Sequence, residues 1–172
     1  AAMLLAGGLH DDRNGAMAEL DRRLYDGQAA ERFQTMVAHL GGPGDLLERA
    51  GEILPHAPVV MPVIPEQFGF VASMDVYQIG MAVVELGGGR SRADQRIDPA
   101  VGLKAVAGIG ERVDGDHPVA RVHARNRGDA ERAAARILAA VKIAEEPFEP
   151  PPLIYCSVGP GFPASNATGE AF

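Results

Sequence analysis

Residues 1–54 carry apolar positions at helical spacing. Met17, Leu20 and Leu24 recur at i, i+3 and i+7, and Gly27 is a candidate end for this helix. Asp45 is a candidate N-cap for a further short helix. A second helix is predicted between Gly27 and Asp45. Its apolar stripe consists of Ala29, Phe33, Met36, Val37 and Leu40. This segment contains no visible core of its own, so we expect its stripes to need partner polypeptide.

The chain opens on a short apolar run, residues 1–6, which ends at Gly7-Gly8. No capping residue precedes the run, and helices this short are marginal on their own. The pattern predicts the last turns of a helix whose beginning lies upstream. On this interpretation the sequence is a piece of a longer protein.

The pattern changes at Leu54-Pro55, where we place a domain boundary. Prolines interrupt the Val, Met and Ile residues of 59–64, which favours an edge strand or an extended connection. Residues 68–74 are predicted to form a strand, and Asp75 is predicted to cap a helix that runs to Leu86. That helix has little polar face, so we expect it to be largely buried. Gly80 inside it predicts a close approach of another backbone.

Short strands and one further helix follow. Residues 101–113 predict short, bent strands, and 118–124 predict a strand with one wet face. Residues 129–144 predict a helix, which Pro147 stops, and 153–158 predict a last strand. The order of elements predicts an α+β domain over 55–158, with a helical segment over 1–54 before it and a loosely ordered tail over 159–172.

Composition narrows the class of protein. The net charge of −7 argues against a general nucleic-acid binder, which needs a basic surface. No apolar run approaches the ~20 residues of a membrane span, so no membrane association is expected. Cys156 is the single cysteine and cannot form an internal disulfide, which fits a reducing cytoplasm. Its apolar neighbours predict a small thiol buried in a strand.

Two glycine motifs invite a ligand-binding interpretation. Gly87 to Gly89 followed by Arg90 offers backbone amides and a cation to a phosphate. These glycines follow a helix rather than precede one, which favours a helix cap and loop. The second motif, Gly108-Ile109-Gly110, is too short for a dinucleotide fingerprint and favours strand bending. The histidines lack metal-ligand spacing, so no metal site is expected.

Lys104 supports an alternative function. Its segment, Gly102-Leu103-Lys104-Ala105, is similar to the modified-lysine site of biotinyl and lipoyl carrier domains. The flanking residues that those carriers use, such as Met-Lys-Met, are not present. A non-catalytic binding or carrier module is therefore kept as the alternative.

Several short sequence segments, which occur in a fixed order along the chain, resemble those of a known family. The segments are Asp26–Phe33 (DGQAAERF), Met36–Ala38, Gly42–Asp45, Gly69–Asp75 (GFVASMD), Ile79–Val84, Ile97–Asp98, Val113–Gly115 and Val122–Ala124. From Ala1 to about Tyr155, the chain resembles the C-terminal portion of the thymidine (pyrimidine-nucleoside) phosphorylases.

The resemblance implies a cytoplasmic homodimer, a pentosyltransferase with a helical domain and a larger α/β domain. Enzymes of this family cleave thymidine with phosphate, giving thymine and 2-deoxyribose 1-phosphate, and they need no cofactor. Residues 1–54 would end the large α/β domain, and 55–158 would form a C-terminal domain similar to barrel-sandwich folds.

The family's phosphate motif, Lys-x-Ser-Gly-Arg-Gly, does not occur in this sequence. We therefore expect no catalytic residue in this chain, and the piece alone to be inactive. The resemblance places the loop after Val122-His123 near the mouth of the active-site cleft. His123, Arg125 and Arg127 are the candidate substrate-binding residues there, since positively charged side chains in this loop would attract phosphate. The alternative is a solvated loop ahead of a helix.

Overall fold

The computed structural model describes residues 1–152. These residues fall into two compact units, which divide between Pro55 and His56. Among them no helix is long and apolar enough to cross a membrane.

The first unit is entirely helical in its regular structure. Its helices are α1 (Ala2–Ala6), α2 (Arg13–Tyr25), α3 (Gln28–His39) and α4 (Leu46–Ile53). Asp12 caps α2 by accepting a hydrogen bond from the Gly15 amide at 2.9 Å. Gly27 has a φ of +88°, which glycine adopts without steric cost, and it starts α3 directly after Asp26 ends α2. Asp45 lies at the N-cap of α4 as predicted, although its side chain makes no capping hydrogen bond.

The first unit has almost no core within the described chain. Ala16 is its one buried residue, while Phe33, Met36 and Leu40 leave 44%, 51% and 80% of their surface exposed. The prediction that these stripes lack a core of their own is confirmed.

The second unit combines two small sheets with two helices. Its elements are β1 (Val59–Val63), β2 (Gly69–Met74), α5 (Val76–Leu86), β3 (Gly102–Lys104), β4 (Arg112–Val113), β5 (Ala120–Ala124), α6 (Arg127–Ala140) and β6 (Val141–Ala144). The strands form two antiparallel sheets, in the orders β1-β5-β3 and β4-β2-β6. The predicted α+β class is confirmed. β1 is an edge strand, as its prolines indicated.

Helix α6 packs on the first sheet and supplies the centre of the core. Ile137 is fully buried, together with Val122 of β5 and Val63 of β1. Along β5 the burial alternates, with Ala120, Val122 and Ala124 buried and Arg121 exposed. This is the predicted strand with one wet face.

The end of the last helix was predicted wrongly. The helix stops at Ala140, and Val141–Ala144 form strand β6, in which Val141 pairs with Met74 and Ile143 with Val71 of β2. Apolar residues at 141 and 143 fit a strand as well as a helix, so periodicity alone does not decide between them. Pairing with β2, a partner that is distant in sequence, determines the outcome.

Two expectations about α5 were also wrong. Only Ala82 and Leu86 of this helix are buried, and Val76 and Tyr77 are 74% and 68% exposed. No atom lies within 4 Å of the position that a Cβ on Gly80 would take, so no backbone packs closely there. The composition of a helix tells how apolar it is, but not how much of its surface its neighbours cover.

Of the remaining predictions, one is confirmed, one is wrong and the others concern residues outside the described part of the chain. Asp75 does cap α5, accepting from the Gln78 amide at 3.1 Å. The Gly108–Gly110 segment lies in the loop between β3 and β4 rather than in a bent strand, and the Gly110 amide donates to the Val71 carbonyl at 2.8 Å. The predicted strand 153–158, the environment of Cys156 and the tail lie outside the described residues.

Candidate functional site

The C-terminal end of β5 and the turn into α6 bring the predicted site residues together. His123 is half-buried on β5, where it lies opposite Val60 of β1 and Gly102 of β3. Its Nε2 atom is shielded from solvent and has no hydrogen-bond partner among the described residues. Arg125 and Arg127 follow directly, so the three side chains belong to one local segment.

Arg125 is held by a two-point contact with Asp98. Its Nε donates to Asp98 Oδ2 at 2.5 Å and its Nη2 to Oδ1 at 2.7 Å. The Asp98 carboxylate also accepts from the Ala100 amide at 3.0 Å. The hydrogen bond from Arg125, followed by that from the amide, lowers the pKa of Asp98 from 3.8 to about 2. This pairing ties the loop before β3 to the turn that follows β5.

The same loop is anchored to the glycine triplet. The Asp98 amide donates to the Gly87 carbonyl at 2.9 Å. Gly87, with a φ of +94°, ends α5, and the Gly87 and Gly88 amides donate to the Val84 and Val83 carbonyls at 3.0 Å. The helix-cap interpretation is confirmed, and these two amides are already engaged within the protein.

Arg127 opens α6 and is also paired. Its Nε donates to Glu131 Oε1 at 2.8 Å, one helical turn on. Asn126 caps the helix by accepting from the Asp129 amide at 2.9 Å. Both candidate arginines therefore share their charge with a carboxylate, and the positive charge of this loop is largely compensated.

A separate cavity of about 720 Å³ lies among β2, β6, α5 and α6. Arg136 of α6 crosses to α5 beside it, donating to Gln78 and Glu85 at 2.6 Å each. The lining residues are Ser73, Met74, Asp75, Gln78, Arg136, Ala139, Ala140 and Lys142. This cavity was not predictable from the sequence, because it depends on the pairing of β2 with β6, and residues 141–144 were predicted to be helical.

The pairing of β3 with β5 also brings together two cationic side chains that are distant in the sequence. Lys104 lies directly opposite Arg121 in the β3–β5 register. In the sequence, Lys104 was notable only because its segment is similar to the modified-lysine site of carrier domains. Among the described residues no group of three or more His, Cys, Asp and Glu side chains is placed to hold a metal ion.

Comparison with known proteins identifies two similarities. Residues 70–144 match the pyrimidine nucleoside phosphorylase C-terminal domain. A thymidine phosphorylase of Burkholderia lata is 45% identical over 159 residues, which is 92% of this chain and 36% of the relative. The chain thus spans little more than a third of the length of this curated relative.

Proposed function

We propose that this chain, which belongs to the pyrimidine-nucleoside phosphorylase family and contains that family's C-terminal domain, serves as the C-terminal scaffold of a thymidine phosphorylase. The observation that carries the proposal is the 45% identity to a thymidine phosphorylase over 92% of the chain. Identity at this level, sustained over nearly the whole chain, supports a shared role as well as a shared fold.

The reaction of the longer protein would be phosphorolysis. An oxygen of phosphate attacks the anomeric carbon of thymidine, the bond from that carbon to the thymine nitrogen breaks, and thymine leaves with the electron pair and takes up a proton. The products are thymine and 2-deoxyribose 1-phosphate. The enzyme must orient the phosphate and stabilise the charge on the departing base. Phosphate is a co-substrate, and no cofactor is required.

The chain itself would supply packing and loop positioning rather than catalytic groups. In the proposed arrangement His123, Arg125 and Arg127 lie at the mouth of the substrate cleft of the longer protein. The two-point contact of Arg125 with Asp98, at 2.5 and 2.7 Å, holds this segment in one position. Paired arginines of this kind would shape the entrance more than they would attract phosphate.

The family resemblance also supports a domain assignment. Residues 1–54 would end the large α/β domain, and 55–158 would form a barrel-sandwich-like C-terminal domain. The assembly would be a homodimer in the cytoplasm, which is in keeping with the single cysteine.

The test is a phosphorolysis assay on the longer protein that contains this sequence. Thymine release from thymidine should require phosphate, and 2-deoxyribose 1-phosphate should appear in equal amount. Uridine, assayed in parallel, determines the nucleoside preference. Failure with every pyrimidine nucleoside in the presence of phosphate would refute the proposed activity.

A further inference from the structure

Among the described residues, helix α6 covers one face of the sheet β1-β5-β3, and most residues of the opposite face are exposed. Side chains of directly paired strand residues point to the same side of a sheet. Ala120, Val122 and Ala124 of β5 are buried towards α6, so Arg121 and His123 belong to the other face. That face also carries the residues paired with them, which are Val60, Pro62, Gly102 and Lys104.

Lys104 and Arg121 lie directly opposite each other on this open face. Both are exposed, and neither side chain has an ion pair or hydrogen bond among the described residues. Like charges directly opposite each other on neighbouring strands destabilise a sheet. The pair therefore carries a cost that nothing in the described chain offsets.

Six of the other arginines of this unit pair with a carboxylate, whereas Arg90 and Arg96, which lie outside the strands, have no ion pair among the described residues. Arginines paired with nearby carboxylates are Arg92, Arg112, Arg125, Arg127, Arg132 and Arg136. In a chain with a net charge of −7, carboxylates are in excess. Lys104 and Arg121 differ from the other unpaired cations because they lie directly opposite each other in paired strands, an arrangement that an external anion would stabilise.

The described residues that pair with the two cations, or lie in the next row of this face, carry no acidic side chain. The next row of the same face places His123 between Val60 and Gly102, and the shielded Nε2 of His123 has no partner in the described part of the chain. Gly102 has no side chain, and the position of a Cβ there has no atom within 4 Å. The residues paired with Arg121 and Lys104 on this face therefore include no carboxylate, and Val60 and Pro62 on the neighbouring strand are exposed.

The backbone fixes where Lys104 stands. Ala105, which follows it, has a φ of +51°, a conformation that residues other than glycine seldom adopt. Such a conformation persists only where the surrounding structure enforces it. β3 therefore ends at a defined point, directly after Lys104.

We propose that Lys104 and Arg121 form a binding site for a phosphate-type oxyanion on the open face of the β1-β5-β3 sheet, with His123 beside it. Paired cross-strand Cβ atoms lie about 5 Å apart, which lets both head groups reach one tetrahedral anion. The guanidinium offers two parallel donors to two phosphate oxygens, and the ammonium acts as a point charge on a third. This site is additional to the co-substrate site of the proposed reaction, and it does not depend on that reaction.

The test is an NMR titration of the ¹⁵N-labelled 172-residue chain with inorganic phosphate, with ionic strength held constant by sodium chloride. We expect saturable amide shifts centred on β3 and β5. Lys104→Met and Arg121→Met should each weaken binding about tenfold, because each removes one charged hydrogen-bonding group. The matched control is Lys142→Met, also an exposed and unpaired lysine of a strand, which should leave the affinity unchanged. Circular dichroism verifies that each variant keeps its fold.

Two further arms identify the source of the anion. Glycerol 3-phosphate bound as tightly as phosphate indicates recognition of the phosphate group alone, and tighter binding indicates a phosphate ester; both support the site. Shifts that follow chloride equally, or that persist unchanged in both variants, would overturn it. So would a hexaglutamate peptide that binds these residues more tightly than phosphate, since it would identify an acidic polypeptide as the partner.

Discussion

At the scale of single residues, the Asp98 carboxylate has the most consequences. It accepts two hydrogen bonds from Arg125 and one from the Ala100 amide, and its own backbone amide binds the Gly87 carbonyl. One residue thereby connects the end of α5, the loop before β3 and the turn after β5. Because the hydrogen bonds from Arg125 and from the Ala100 amide lower the pKa of Asp98, the acid stability of the fold reports on those contacts.

Replacing Asp98 with Asn should remove a pH-dependent part of the stability. The folded pKa, about 2, lies below the unfolded value of 3.8, so the ionised carboxylate stabilises the fold above pH 4. This contribution is lost as the pH falls from about 4 towards 2. Urea midpoints of the native chain and of Asp98→Asn, measured between pH 6 and pH 2, should differ most above pH 4 and converge near pH 2.

The control for this series is Asp94→Asn. Asp94 pairs with Arg92, but both side chains are more than 70% exposed, at 72% and 76%. Exposed pairs contribute little to stability, so no comparable pH-dependent difference is expected. A difference between the native chain and Asp98→Asn that stays constant from pH 6 to pH 2 would contradict the assigned role of the Asp98–Arg125 contact.

At the scale of elements, two glycines differ in how much space surrounds them. Gly80 lies on an exposed part of α5 with no neighbour within 4 Å of a Cβ. Gly69 opens β2, and a Cβ there would lie 2.1 Å from the Ala144 carbonyl oxygen. The first glycine is a cost to its helix, and the second permits the β2–β6 pairing.

Gly80→Ala should stabilise the protein by about 0.5–1 kcal/mol, because alanine loses less backbone freedom in a helix and meets no neighbour here. Urea unfolding followed by circular dichroism measures the change. A loss of stability would mean that another part of the molecule packs against this face of α5.

Gly69→Ala should destabilise the protein by about 1–3 kcal/mol, because the new methyl group overlaps the backbone of β6. The same unfolding experiment measures it, with Gly80→Ala as the matched substitution in open space. An unchanged midpoint for Gly69→Ala would contradict the close approach of β2 and β6.

Elements whose apolar residues follow a single periodicity were predictable from the sequence. The other elements depended on pairing with segments distant along the chain. The alternation on β5 and the cap at Asp75 are local signals, and both were confirmed. Residues 141–144 fit two periodicities, and only their pairing with β2 makes them a strand. The juxtaposition of Lys104 and Arg121 could not be predicted, because they are brought together by sheet register alone.

At the scale of the whole molecule, the two units differ in how they bury apolar surface. The buried core cluster draws only on residues after Pro55, including Val63, Val122 and Ile137. The helical unit before it buries Ala16 and leaves its larger apolar side chains partly or fully exposed. Burial of apolar surface is the main stabilising contribution to folding, so stability should reside in the second unit.

A chain that begins at His56 should therefore keep a cooperative thermal transition within about 5 °C of that of the intact chain. Residues 1–55 alone should lose most of their helix content, because short helices need packing to persist. Differential scanning calorimetry and circular dichroism on the two pieces measure both outcomes. Loss of the transition in the longer piece would show that the helical unit contributes to the core.

We propose that the reacting groups of the phosphorylase lie outside this chain. The purified 172-residue chain and the longer protein are assayed side by side for phosphate-dependent release of thymine from thymidine. Turnover is expected with the longer protein and not with the chain alone. Thymine release by the isolated chain would show that the reacting groups lie within it.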